Sequence, residues 1–292
     1  MRLKKLTGSV KLLPITAADV PAVANFLHVE LSSRLASAEW EAAIIPPWAS
    51  FQPNHGFLLR DDEGIVGAHL AFYSERQIEN QPEQFCNLAA WCVKDEYRSL
   101  GLRLLNALLG QKGYHFTDLS PSGNVVPLNV RLKFSHLDVA TALIPNLPWP
   151  FWSSRVRVIS APHEIEGILR GRDLEIYRDH ARALASYHLV VVRDQVPCYI
   201  LFRRVRRKKL PWFASILYVG NRELFAVVAH HVFRHLLLRY GIPATLAEIR
   251  VVGSRPRPSI MLKSPRPKMY RSSKLGPQQI DNLYSELTCV AW

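Results

Sequence analysis

Two stretches of this chain carry the same order of elements: a hairpin, a third strand, a helix and a further strand. In the first, residues 56–60 and 65–74 read as strands around the turn Asp61-Asp62-Glu63-Gly64. An apolar run at 85–93, leucines at helical spacing over 102–109 and a strand at 114–119 follow. In the second, residues 187–193 and 197–205 flank Arg193-Asp194-Gln195. A strand at 213–219 comes next, then a long apolar helix over 222–240 stopped by Gly241, and a strand at 246–252. Helices interspersed with strands give an α/β or α+β layer architecture. The recurrence predicts two copies of one fold, although no residue-level repeat accompanies it.

The flanking segments fit this frame. A short strand at 9–15 leads into a helix over 19–31, with Thr16 as N-cap and Val20, Val23, Ala24 and Leu27 on one stripe. Pro46-Pro47 ends a second helix, residues 75–84 read as a polar link, and 124–133 as a short helix. Residues 144–160, rich in Pro and Trp, read as a linker, so the expected domains are 1–143 and 161–292. Helices are expected at 163–169 and 177–185, and a last strand at 283–292.

Apolar residues make up 48% of the 292, enough for a substantial core. The apolar stretch 224–238 is interrupted by His230, His231, Arg234 and His235, so no membrane span is expected. The basic start, Met1-Arg-Leu-Lys-Lys-Leu, is not followed by a signal-type apolar run, and a cytoplasmic location is the expectation. Cys86, Cys92, Cys198 and Cys289 are scattered, which predicts free thiols and no metal site. His231 and His235 share a helix face but lack a third ligand. The net charge of +13 calls for an anionic partner: a nucleotide cofactor, nucleic acid or a membrane surface. Part of it lies in the basic runs 203–209 and 255–274, which read as solvated loops.

The chemistry is carried by residues 85–105: an apolar strand, the polar turn Lys94-Asp95-Glu96-Tyr97-Arg98-Ser99-Leu100-Gly101, then a leucine-rich helix. A loop entering a helix exposes unpaired amides at the positive end of the dipole, which suits a pyrophosphate. Here the sequence resembles the GNAT superfamily of acyltransferases, whose motif is Gln/Arg-x-x-Gly-x-Gly/Ala after the fourth strand. Arg98 and Gly101 match it. Arg103 stands where a small residue is usual, and either crowds the loop or adds a cation facing a phosphate. The resemblance extends over about residues 9–140, including Gly64-Ile65-Val66-Gly67 and the Lys133-Phe134 end of the last helix.

The resemblance implies two tandem GNAT-like domains, each a mixed, mostly antiparallel sheet flanked by helices. It implies acetyl-CoA or another acyl-CoA as co-substrate, held by Cys92, Val93, Arg98, Ser99, Leu100, Gly101, Leu102, Arg103 and Leu104. The pantetheine would lie along the fourth strand, and an amide near Cys92 or Val93 would stabilise the oxyanion. His69, Tyr73 and Glu75 share a face of the third strand; His69 or Glu75 is the candidate base and Tyr73 the candidate acid. The tyrosine that protonates the thiolate in many relatives is replaced by Asn129. His55, Ser120 and Ser122 are further acceptor-side candidates, and Cys92 reads as a buried, inert thiol.

The second half has only Gly220-Asn221 between strand and helix, too short to wrap a pyrophosphate. It reads as a degenerate copy that covers the first and shapes the acceptor pocket, an internal pseudo-dimer able to act as a monomer. The expected activity is N-acyl transfer to a primary amine of a small molecule or sugar. Two alternatives stand beside it: a tandem aminoacyl transferase using charged transfer RNA, and a non-catalytic acyl-CoA-binding protein. No helix-turn-helix or aromatic RNA-binding motif supports a nucleic-acid partner.

Overall fold

The structure, a computed structural model, describes residues 9–48, 52–149, 155–207 and 210–291. Its first half runs β1 (Lys11–Pro14), α1 (Val20–Glu30), α2 (Ser37–Ile44), β2 (Gly56–Asp61), β3 (Gly64–Ile78), β4 (Gln81–Val93), a 3-10 segment (Asp95–Leu100), α3 (Gly101–Leu109), β5 (Tyr114–Asp118), α4 (Val125–Arg131), β6 (Ser135–His136) and β7 (Thr141–Pro145). The second runs β8 (Val156–Ile159), α5 (Pro162–Ile168), α6 (Gly171–His180), β9 (Tyr187–Arg193), β10 (Val196–Arg207), β11 (Leu210–Val219), α7 (Arg222–Tyr240), β12 (Ala244–Glu248), α8 (Ile249–Val252), β13 (Ile260–Met261), β14 (Met269–Arg271) and α9 (Glu286–Cys289).

The fold is α+β, with two mixed sheets of seven strands each, flanked by helices. Their orders are β1-β2-β3-β4-β5-β14-β6 and β13-β7-β12-β11-β10-β9-β8. The recurrence seen in the sequence is present: each sheet has one parallel pair, β4 with β5 and β11 with β12, bridged by a helix. α1 buries Val20, Val23, Ala24, Phe26 and Leu27 in a core shared with β3 and β4. The Asp19 carboxylate accepts from the Thr16 amide and hydroxyl at 3.1 and 2.7 Å, fixing the approach to that helix.

The halves exchange strands. β7, from the first half, pairs antiparallel with β12, and β14, near the C-terminus, pairs antiparallel with β5. Residue 143, where the first domain was expected to end, therefore lies inside β7. The expected linker contributes the end of β7 and all of β8, while its residues 150–154 lie outside the described residues. Proline-rich composition suggested a loop, but Pro145 is the last residue of β7, where a missing N–H is tolerated.

Other expectations shift for local reasons. The polar link 75–84 is the far end of a long β3–β4 hairpin, turned at Glu79 and Asn80 with φ of 51° and 64°. Its polar composition conceals partners from far along the chain: Arg76, buried, pairs with Asp281 at 2.6 Å and lies over the Phe85 ring. The strand expected at 246–252 is β12 followed by the short helix α8. The helix expected at 177–185 is α6, which begins at Gly171. The strand expected at 283–292 is replaced, among its described residues, by α9, started by the Ser285 hydroxyl accepting from the Leu287 amide. Among the described residues no helix is long and apolar enough to cross a membrane.

Candidate functional site

β4 and β5 pair only from Gln84–Tyr114 to Asn87–Thr117. The Asn87 Nδ2 closes this last rung by donating to Thr117 Oγ1 at 3.1 Å. Beyond it the strands part, and among the described residues no strand lies on the β5 side of β4 from Leu88 to Val93. On its other edge β4 carries a bulge. Ala68 pairs with Cys92 and Leu70 with Ala89, so Ala90 and Trp91 stand opposite His69 alone. Ala90 has φ +48°, a conformation that costs a non-glycine residue about 1–3 kcal/mol. Such outliers persist where the surrounding structure holds them, often at functional sites.

The split opens a cavity of about 330 Å³. One wall is Leu88, Ala89, Ala90 and Trp91, with the Trp91 indole stacked on His69 at 5.1 Å. The opposite wall is Asp118, Ser120, Pro121, Ser122 and Val125. Arg34, Arg206 and Arg266 also line it. Asp118 ends β5, and burial, reinforced by the nearby Glu286 charge, pushes its carboxyl up to about 7. The buried Asn129 donates to it through Nδ2 at 2.8 Å. α9 seats the base of the split. The Glu286 amide donates to Asn87 Oδ1 at 3.0 Å, and Ser120 Oγ donates to the Glu286 carboxylate at 2.7 Å. Burial raises the Glu286 pKa as well.

The expected site residues are distributed unevenly around this cavity. His69 lines it; its Nδ1 is buried without a partner, and burial lowers its pKa to about 3. Such an imidazole is neutral and a weak proton acceptor at neutral pH. Tyr73 shares the strand face but belongs to the core beneath α3, and the cavity does not reach it. Its hydroxyl donates to Asn54 Oδ1 at 2.8 Å and accepts from Gln111 Nε2 at 2.8 Å, and burial raises its pKa. Glu75 accepts from Gln84 Nε2 at 2.7 Å in the far part of the hairpin, roughly 20 Å from His69 at strand rise, also outside the cavity. Alternation placed the three on one face; distance along the strand separates them. Ser120 and Ser122 line the cavity, whereas His55 does not. Cys92 is buried in a strand pair with Ala68, and burial lifts its thiol to about 11.

At the open end of β4 lies the expected cofactor loop. The Tyr97 hydroxyl donates to Asp61, tying the 3-10 segment to the β2–β3 turn. α3 begins with no side-chain cap; its first amide, at Gly101, donates to the Arg98 carbonyl of the 3-10 segment. Gly101 has φ −55°, ordinary helix, so left-handed freedom is not what it supplies. It is buried, and a methyl there would stand 3.5 Å from Trp91 and Val93, holding the helix start close to β4. Arg98 and Ser99 are exposed, Arg98 pairing with Asp95 at 2.8 Å. Leu102 is exposed, Leu104 is core, and Leu100 packs partly buried beneath the loop. Arg103 neither crowds the loop nor is buried: it donates to the Val10 carbonyl at 3.2 Å.

At the matching position in the second half, side chains of the protein take up part of the turn. Asn221 Oδ1 accepts from the Leu224 amide at 2.9 Å, capping α7. The Asp173 carboxylate fills the space beside Gly220, where a Cβ would stand 2.2 Å from Oδ2. A cavity of about 850 Å³ does open beside this turn, lined by Gly220, Asn221 and Arg222, but Asn221 already occupies one of the amides at the start of α7. Among the described residues no group of three metal-ligating side chains occurs. Of the 203–209 basic run, residues 208 and 209 lie outside the described residues.

Sequence reading missed Asp118, Glu286, Arg203 and Lys268. Only Asp118 left a signal: a lone carboxylate near the end of an apolar strand, just before Ser120-Pro121. The others acquire partners 14 or more residues away.

No family model matches the sequence, and no curated protein matches it. Solved structures do. A GCN5-related N-acetyltransferase from Anabaena variabilis superposes with TM-score 0.57 at 12% identity, over 90% of this chain and 72% of that one. One from Kribbella flavida gives 0.54 at 12% identity, over 91% and 71%. The N-myristoyltransferase of Saccharomyces cerevisiae, solved with bound myristoyl-CoA, gives 0.51 at 10% identity, over 97% and 89%. With its split β4–β5 pair, bulged β4 and helix start at the end of that strand, the chain has the fold of the GNAT superfamily.

Proposed function

We propose that the protein transfers an acyl group from an acyl-CoA to a primary amine of a small molecule or sugar. The observation that carries this reading is the split itself. The free edge of β4 runs from the cavity to the uncapped start of α3, linking an anion site to a chamber that holds one carboxylate poised near neutral pH. The pantetheine arm pairs with the free β4 edge as an added strand would, and the pyrophosphate meets the amides near Ser99 to Leu104.

Asp118, rather than His69, Tyr73 or Glu75, is the group suited to receive the ammonium proton of the acceptor. It faces the cavity and its pKa lies near operating pH. The freed amine attacks the thioester carbonyl; the C–N bond forms, the C–S bond breaks, and the sulfur leaves as coenzyme A thiol, taking up the proton that the nitrogen gives up on becoming an amide. Asn129 holds the Asp118 carboxylate in place, so the residue standing at the tyrosine position serves the base instead of acting as an acid. His69 and Trp91 wall the reacting centre and exclude water.

Calorimetry with acetyl-CoA and longer acyl-CoAs tests the cofactor half of this reading, beside a Leu102→Glu variant. Glutamate in the first turn favours the helix dipole, so folding is kept, but it repels a pyrophosphate. The expected result is binding that the variant weakens by about tenfold or more. Absence of binding to every acyl-CoA would overturn the reading. Tight binding without thiol release across an amine screen would leave a non-catalytic acyl-CoA-binding protein.

A further inference from the structure

A second, smaller cavity of about 90 Å³ lies between the two sheets. It adjoins the first: Ser120 and Arg266 line both. Its walls are part apolar, with Leu119, Leu217, Leu246 and Leu287 among them, and part charged, with Glu248, Lys268 and Arg203 of β10. Arg203 is only 4% exposed. Among the described residues its guanidinium makes one hydrogen bond, Nη2 to the Val290 carbonyl at 3.3 Å, and its Nε is buried with no partner.

A buried guanidinium is ordinarily paired, because desolvating it without a counter-charge is expensive. The other charges here do not serve. Glu248 is already held by Lys268 and by Arg250 at 2.9 Å. Glu286 attracts Arg203 electrostatically but forms no ion pair with it; one of its oxygens is taken by Ser120 and the other has no partner among the described residues. Arg266 adds a further cation to the lining. The cavity thus combines apolar walls with two cations, Arg203 and Arg266, that form no ion pair among the described residues, which suits an anionic group at the end of an apolar chain.

We propose that this cavity binds a carboxylate of the acceptor through Arg203. The acceptor is then an amino acid or similar amphiphile, its carboxylate between the sheets and its amine in the split beside Asp118. This rests on the acyl-transfer reading for the role of the amine, but the anion site can be tested without it.

The test is calorimetric titration of the protein with hexanoate and with its neutral isostere hexanamide, using wild type, Arg203→Met and Arg203→Lys, with acetyl-CoA titrated in parallel. Wild type should prefer hexanoate by at least about tenfold. Arg203→Met should abolish that preference while keeping acetyl-CoA binding. It should also fold, since an apolar side chain of similar length replaces an unpaired buried charge. Arg203→Lys, which loses the planar fork, should weaken hexanoate several-fold and decides the matter if the methionine variant melts early. Equal affinity for hexanoate and hexanamide in wild type would overturn the proposal, as would a hexanoate preference unchanged in either variant. Loss of acetyl-CoA binding with the hexanoate preference intact would strike the acyl-transfer reading instead.

Discussion

Replacing Asp118 with asparagine should remove activity and stabilise the fold at the same time. The Asp118 carboxyl stands at about 7 in the folded protein, well above the 3.8 of a free aspartate. A raised acid binds its proton more tightly in the folded state. Its favourable contribution is complete below pH 3.8 and is lost as pH rises through 7. At pH 8 the folded state therefore carries an ionised carboxylate, buried near Glu286, that the unfolded chain would hold in water. A gap of about three pH units at ~1.4 kcal/mol each sets a ceiling of about 4 kcal/mol. Relaxation around the charge leaves about 2–4 kcal/mol. Asparagine has the same shape, carries no charge, and can still meet Asn129. Urea melts of wild type and Asp118→Asn at pH 4 and pH 8 isolate the effect. The variant should gain about 2–4 kcal/mol relative to wild type between the two, which corresponds to about 3–7 °C in melting temperature. A difference between the proteins that does not change with pH, or a variant less stable at pH 8, would refute the account of Asp118 as a desolvated carboxylate.

In turnover assays Asp118→Asn should lower kcat/KM by about 10²–10⁴-fold, and the wild-type kcat/KM should rise with pH to a plateau above about 7. A profile flat from pH 5 to 8 would remove Asp118 from the base role. Asn129→Ala takes one of its donors from a buried carboxylate and should destabilise the fold by about 1–3 kcal/mol at pH 8, with a smaller loss at pH 4; chemical denaturation reads both. Gly101→Ala should fold normally and bind acetyl-CoA nearly as wild type, since φ is −55° and the added methyl finds ordinary contact at 3.5 Å. A large loss of binding would show that the pyrophosphate itself occupies that space. Met269→Ala should cost about 2–5 kcal/mol and raise hydrogen exchange in β5, because the fully buried Met269 lies in β14 beside that strand. Unchanged exchange in β5 would contradict the strand exchange between halves.

Short-range pattern determined much of this protein. Leucine spacing predicted α3, the stripe from Val20 to Leu27 predicted α1, and alternation together with turn residues located the β2–β3 and β9–β10 hairpins. The order of those elements anticipated two sheets that each hold one parallel pair bridged by a helix. These features depend on residues within a turn or two of each other, where helix and strand periodicity act.

Tertiary structure decided the rest. Which strand lies beside β5 depends on pairing between residues about 150 apart, and Met269-Tyr270-Arg271 is too short to announce itself. His69, Tyr73 and Glu75 were told apart only by where β4 and β5 separate, which is set by α9 docking on Asn87. Asp118 and Arg203 are ordinary charges in the sequence. Only in the fold are they taken out of water, one carboxylate raised toward neutrality and one guanidinium left short of partners, because burial acts on a group through everything packed around it.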